Sequence, residues 1–163
     1  MSSGRSTQRT HPHAGIPISC GAVIRDEQGR LLIVKPTYKT GWTIPGGTME
    51  LDGETPWQAC QREVLEEVGL RVRHGRLVAV DSRPPKGPEP LRVRMLFDCG
   101  SLTPEQVAAI RLPRGELRAH RFLTIEDAMP LLRTPIARRV AAGIRTTSCV
   151  YLEDGLPATG IID

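Results

Sequence analysis

Three glutamates, Glu63, Glu66 and Glu67, stand at the spacing i, i+3, i+4. On a helix that spacing makes their side chains neighbours, and like charges so placed cost roughly a few tenths of a kcal/mol when nothing compensates. Solvent is one remedy, and most Glu-rich helical faces are simply solvated. A hard divalent cation is the other. Magnesium takes oxygen ligands, keeps several waters and bridges carboxylates to substrate phosphates. The surroundings favour the second remedy. Gly46 and Gly47 precede the glutamates, and a Gly-rich loop can bring backbone N–H groups close to phosphates. Arg62 lies beside Glu66 and within reach of Glu54, where a guanidinium can fix carboxylates by bidentate bonds. Lys35, Tyr38 and Trp42 flank the approach. Lys35 could pair with phosphate and the rings could stack on a base, although purely structural roles would explain all three.

The element that must hold the glutamates is a helix over residues 56–68. Thr55 is a good N-cap, Pro56 suits the first helical position, Gln58 completes a capping-box spacing, and Gly69 supplies a left-handed stop. Trp57, Cys60, Val64 and Val68 share one face, towards the core, and the glutamates share the other, expected to face solvent. Upstream, residues 18–25 and 30–34 read as a hairpin around a turn at 26–29, followed by a short strand at 42–44. Downstream, residues 71–82, 91–97 and 117–123 read as strands, with a Pro-rich loop at 83–90. Helices follow at 125–132 and 136–145, then a strand at 149–152 that could add an edge strand in a dimer. Several strands among a few helices in irregular order indicate an α+β or α/β sandwich.

At these residues the chain resembles the Nudix hydrolase family. The family's box runs Gly, five residues, Glu, seven residues, then Arg-Glu-U-x-Glu-Glu-x-Gly-U with U aliphatic; here Gly47, Glu54 and Arg62-Glu63-Val64-Leu65-Glu66-Glu67-Val68-Gly69-Leu70 match it. One departure is visible: six residues, not five, separate Gly47 from Glu54, with the extra one near Asp52. Loops absorb insertions cheaply, so the helix register is kept. The resemblance spans about residues 16–146. It implies an α+β fold, a Nudix-type α/β/α sandwich with a mixed β-sheet. It also implies Mg2+ or Mn2+, with Glu63 and Glu67 as main ligands and Glu66 as a ligand or a base. Glu54 would assist, Arg62 would orient the carboxylates, and the Gly46–Gly47 backbone could add a carbonyl ligand. Glu116, ahead of the strand at 117–123, is the candidate distant general base; an ordinary surface glutamate is the competing reading. The implied reaction is cleavage of a diphosphate linkage in a nucleoside diphosphate derivative.

Length and composition agree with such an enzyme. The chain has 163 residues, 25% charged and 39% apolar, enough for one domain at 16–163 behind a polar tail at 1–15, expected to be disordered. No apolar run approaches the ~20 residues of a membrane helix, and the tail lacks the apolar centre of a secretory signal, so a cytoplasmic protein is expected. His11 and His13 lie in that tail. Cys20, Cys60, Cys99 and Cys149 are far apart in sequence, which argues for buried reduced thiols rather than zinc or a disulfide framework. The net charge of +4 and pI near 9.2 favour anionic partners weakly. The arginines are scattered, so a small nucleotide-like substrate, rather than nucleic acid, is the expected partner; a homodimer is compatible. Two alternatives stand beside the diphosphatase: a Nudix-fold regulator that binds nucleotides without cutting, and an RNA-end pyrophosphohydrolase. Metal-dependent turnover separates the first, and salt-sensitive RNA affinity the second.

Overall fold

The computed structural model describes residues 15–113 and 115–161; the expected tail, with His11 and His13, lies outside them apart from Gly15. β1 (Ile18–Asp26) and β2 (Leu31–Pro36) form the expected antiparallel hairpin. Its turn is closed by the Asp26 carboxylate, which accepts from the backbone N–H of Gln28 at 3.0 Å and of Arg30 at 2.9 Å. α1 (Pro56–Val68) follows, then β3 (Arg76–Arg83), β4 (Arg92–Leu102), α2 (Pro104–Ala108), β5 (Leu117–Leu123), α3 (Ile125–Ala128), α4 (Thr134–Arg145), β6 (Val150–Glu153) and β7 (Leu156–Pro157). One seven-stranded sheet runs in the order β5-β2-β1-β4-β3-β6-β7. β1 and β4 are parallel, as are β3 and β6, and the remaining pairs are antiparallel, so the sheet is mixed.

Strand alternation gives each face of the sheet its own core. Cys20, Ala22, Ile24, Leu32 and Val34 pack with Ala59, Cys60, Val64 and Val68 of α1. Val23, Leu31, Ile33, Val78 and Leu96 pack with Ala128 of α3 and Val140 of α4. The result is the α/β/α sandwich. Burial on both faces accounts for the apolar stretches at residues 22–24 and 31–34. α4 comes close: a Cβ on Gly143 would lie 2.8 Å from Val78 and 3.0 Å from Leu96.

α1 has the expected ends: Thr55 and Gln58 form the capping box, and Gly69 stops the helix at φ 74°. The same signature recurs at Thr103, Pro104 and Gln106, where it starts α2, a helix not expected from the sequence. The strand expected over 71–82 begins only at Arg76, because residues 71–75 carry Val72 into the first core without pairing. The strand expected over 91–97 continues to Leu102, since β1 offers pairing that far. The helix expected over 125–132 stops at Ala128. The strand expected as an edge at 149–152 is β6, placed between β3 and β7, so its pairing capacity is used within the chain. The cysteines also depart from expectation. Cys20 and Cys60 are buried, but Cys99 is half-buried and Cys149 exposed. The Cys20 and Cys99 thiols flank that of Cys60 and, with burial, push it well above the usual thiol range. No helix among the described residues is long and apolar enough to cross a membrane.

Candidate active site

The segment between β2 and α1 folds back over the sheet and creates the site. Cys20 N donates to Gly47 O, and Ala22 N to Pro45 O, both at 2.8 Å. This holds residues 45–48 along β1. Gly46 sits at φ 143°, and a Cβ there would overlap the Cys20 carbonyl oxygen; a Cβ on Gly47 would overlap the Glu63 carboxylate. Gly46 therefore requires glycine for backbone approach and conformation, and Gly47 leaves room for a carboxylate.

That crossing changes the character of the acidic face of α1. Glu67 is only 8% exposed, contrary to the expected solvent-facing position, because residues 45–48 cover it. Its Oε2 accepts from Gly46 N at 2.8 Å. Burial, set against that hydrogen bond and reinforced by Glu63 and Glu116, pushes its pKa up to about 8. Glu63 is likewise raised, chiefly by burial. Glu66 is half exposed and lies outside the cleft lining.

Arg62 ties the remaining acids together. Its Nε and Nη2 reach the two oxygens of Glu54 at 2.8 and 3.1 Å, its Nη1 reaches Glu63 at 2.9 Å and Glu66 at 3.0 Å, and Nη2 also donates to Thr48 O at 3.2 Å. The Arg62 hydrogen bonds hold Glu54 below the usual carboxylate range. Around the extra loop residue, residues 51–53 are exposed, Gly53 turns at φ 100°, and Glu54 Oε2 accepts from Glu50 N at 2.9 Å.

Above Glu63 and Glu67 opens a cleft of about 390 Å³. Glu116 lines it as expected; Thr37 N bonds to Glu116 O at 2.9 Å and Thr37 Oγ1 to Gly115 O at 2.6 Å, which tether its turn to the end of β2. Tyr38 stands 69% exposed at the rim. Lys35 and Trp42 are placed differently. Lys35 does not line the cleft: its Nζ lies 5.5 Å from the centre of the Trp42 ring, and Arg121 lies 5.0 Å from the same ring. Trp42 lines the cleft but is buried in the second core under those cations, where packing and cation–π contact hold its ring.

The NUDIX domain family model matches residues 15–143. The chain belongs to the NUDIX family. A MutT-like protein of Streptomyces ambofaciens is 38% identical over 82 residues, half of this chain and half of that protein. An RNA pyrophosphohydrolase of Psychrobacter sp. (strain PRwf-1) is 38% identical over 65 residues, 40% of this chain and 37% of that protein. This NUDIX chain thus spans half or less of the length of these curated relatives. The MutT protein of Methanosarcina mazei Go1 shares the fold with a TM-score of 0.59 and 25% identity, over 71% of this chain and 83% of that one.

The structure also adds cleft residues of this NUDIX domain that sequence reasoning missed: Arg94, Arg133 and Arg139. Arg139 had a signal. It falls between Ile136, Val140 and Gly143 on the face that α4 turns to the sheet, where an arginine needs a buried acid. Asp81 supplies it, at 2.8 and 2.9 Å.

Proposed function

We propose that this NUDIX domain is a divalent-metal-dependent diphosphatase that cleaves a nucleoside diphosphate derivative or related small nucleotide. The observation that carries this reading is the burial of Glu63 and Glu67 at the base of a cleft against the Gly46–Gly47 backbone. Two carboxylates withdrawn from water beside each other are costly unless a cation joins them. The donors present are hard oxygens: both carboxylates, and the Gly46 carbonyl, which accepts no hydrogen bond among the described residues. That set suits Mg2+ or Mn2+, which complete their shells with water and substrate phosphate. No three His, Cys, Asp or Glu side chains among the described residues form a ready-made cage, so water and substrate phosphate would complete the coordination.

Glu63 and Glu67 would hold the metal, with Glu66 a supporting ligand. Arg62 would keep Glu63, Glu66 and Glu54 in place. When bound, the metal would offset diphosphate charge and lower the pKa of an attacking water. Glu116, which lines the same cleft, would take the proton from that water. The Gly46–Gly47 segment would let a phosphate approach closely.

The test is phosphate or nucleotide release from ADP-ribose, nucleoside triphosphates, dinucleoside polyphosphates and sugar nucleotides, with and without Mg2+ and Mn2+. Metal-dependent release from one class is expected. No release from any member with either metal at high enzyme concentration would overturn the reading in favour of nucleotide binding without cleavage.

A further inference from the structure

Arginines scattered along the sequence converge on the α4 side of the sheet. On β4, Arg92, Arg94 and Leu96 alternate onto that face, since Leu96 belongs to the second core. Across the ladder Arg94 stands opposite Asp81 and Arg92 opposite Arg83, and residues directly opposite share a face. α4 brings Arg139 to the same place.

The charges there do not balance. Asp81 is engaged elsewhere: Oδ2 takes both Arg139 bonds, and Oδ1 accepts from Gly155 N at 2.9 Å. Arg83 meets Glu89 only at 3.8 Å. Arg94, half-buried in the cleft wall, has no carboxylate partner among the described residues; its one hydrogen bond is to Ser19 Oγ at 3.4 Å. Arg92 Nε is buried without a partner. Four guanidiniums thus face two carboxylates, and burial, with Arg139 and Arg83 nearby, lowers the Arg94 pKa despite the opposing pull of Asp81. Structural packing alone gives no reason to gather like charges around a half-buried arginine. An anion would satisfy them, and guanidinium forks match phosphate oxygens bidentately.

We propose that Arg94, flanked by Arg92 and Arg139, forms a second phosphate subsite, so that the preferred substrate carries a phosphate or phosphodiester besides the diphosphate that is cleaved. This inference rests on the cleft being a nucleotide site, and it narrows the substrate to doubly anionic ones. The extra phosphate has two sources of one chemistry: a phosphorylated small nucleotide, or the first phosphodiester of a 5′-triphosphorylated oligonucleotide.

The deciding experiment is calorimetric titration of the full chain, in EDTA, with adenosine 3′,5′-bisphosphate and with AMP. The bisphosphate is expected to bind at least about tenfold more tightly, with a steeper salt dependence. Arg94→Gln and, separately, Arg92→Gln should shrink that preference, each checked for an unchanged circular dichroism spectrum. Equal affinity for the two ligands, or a preference untouched by both substitutions, overturns the subsite. Failure of both ligands to bind in EDTA overturns the subsite, and failure to bind in Mg2+ as well overturns it together with the nucleotide reading. Metal-dependent cleavage of ADP-ribose with equal affinity for the two ligands removes the subsite alone. Competition by a 5′-triphosphorylated dinucleotide against ATP then tells the two sources apart: tighter competition by the dinucleotide points to RNA ends, equal competition to small nucleotides.

Discussion

Glu67→Gln isolates the physical cause on which the metal site depends. The change keeps the shape of the side chain and leaves an oxygen to accept from Gly46 N, so it removes charge and little else. In the metal-free protein the Glu67 pKa stands at about 8 rather than 4.5. The folded state therefore holds a proton between those values that the unfolded state has released, and stability falls as pH rises through that window. At about 1.36 kcal/mol per pH unit the full cost of ionising Glu67 is roughly 5 kcal/mol above pH 8; water entry and loop relaxation reduce it, to about 2 kcal/mol. Without metal, Glu67→Gln should match the parent near pH 5 and exceed it by about 2 kcal/mol at pH 8.5, a rise in Tm of roughly 4–8 °C for a domain of this size. Magnesium should stabilise the parent at pH 8.5, as any ligand selective for the folded state does, and should stabilise the variant much less. Turnover of the variant should fall to background. Urea and thermal unfolding at the two pH values, with EDTA or Mg2+, provide the readout. A variant less stable than the parent at both pH values would refute the reasoning, because Glu67 would then be a structural acceptor rather than a strained ligand.

Arg62→Ala should lower activity about 10–100-fold and weaken metal affinity comparably, as expected for residues that orient ligands; Arg62→Lys should recover little, since one ammonium cannot replace contacts to Glu54, Glu63, Glu66 and the Thr48 carbonyl. Metal titration followed by steady-state kinetics measures both effects. Gly47→Ala should leave the melting temperature close to that of the parent while activity drops, because the methyl group's nearest neighbours are atoms of the Glu63 carboxylate, the far end of a flexible side chain. Gly46→Ala should instead destabilise by about 2–3 kcal/mol, since it combines an unfavourable backbone conformation with overlap against Cys20 backbone; equal melting temperatures for the two variants would contradict the contrast.

The local part of the site was legible because its constraints are local. Thr55, Pro56, Gln58 and Gly69 define the ends of α1 through bonds to their own backbone, and the i, i+3, i+4 spacing alone makes Glu63, Glu66 and Glu67 neighbours. The reach of Arg62 to Glu66 and Glu54 follows from one helical turn and a short loop. The sandwich was legible because several strands stand among a few helices in irregular order along the chain.

What the sequence could not fix are properties that arise when distant segments meet. Glu67 lies on the polar face of its helix, yet it is buried, because residues 45–48 bond to β1 and pass over it. Lys35 and Trp42 are near the box in sequence, but strand register aims them at each other and at Arg121. Arg94 and Arg139 lie 45 residues apart and become neighbours only because β3 pairs with β4 and α4 packs across both. Periodicity along a chain records which face a residue occupies. Whether that face meets water, another backbone or a partnerless charge depends on contacts between segments far apart in sequence, and those exist only once the sheet has formed.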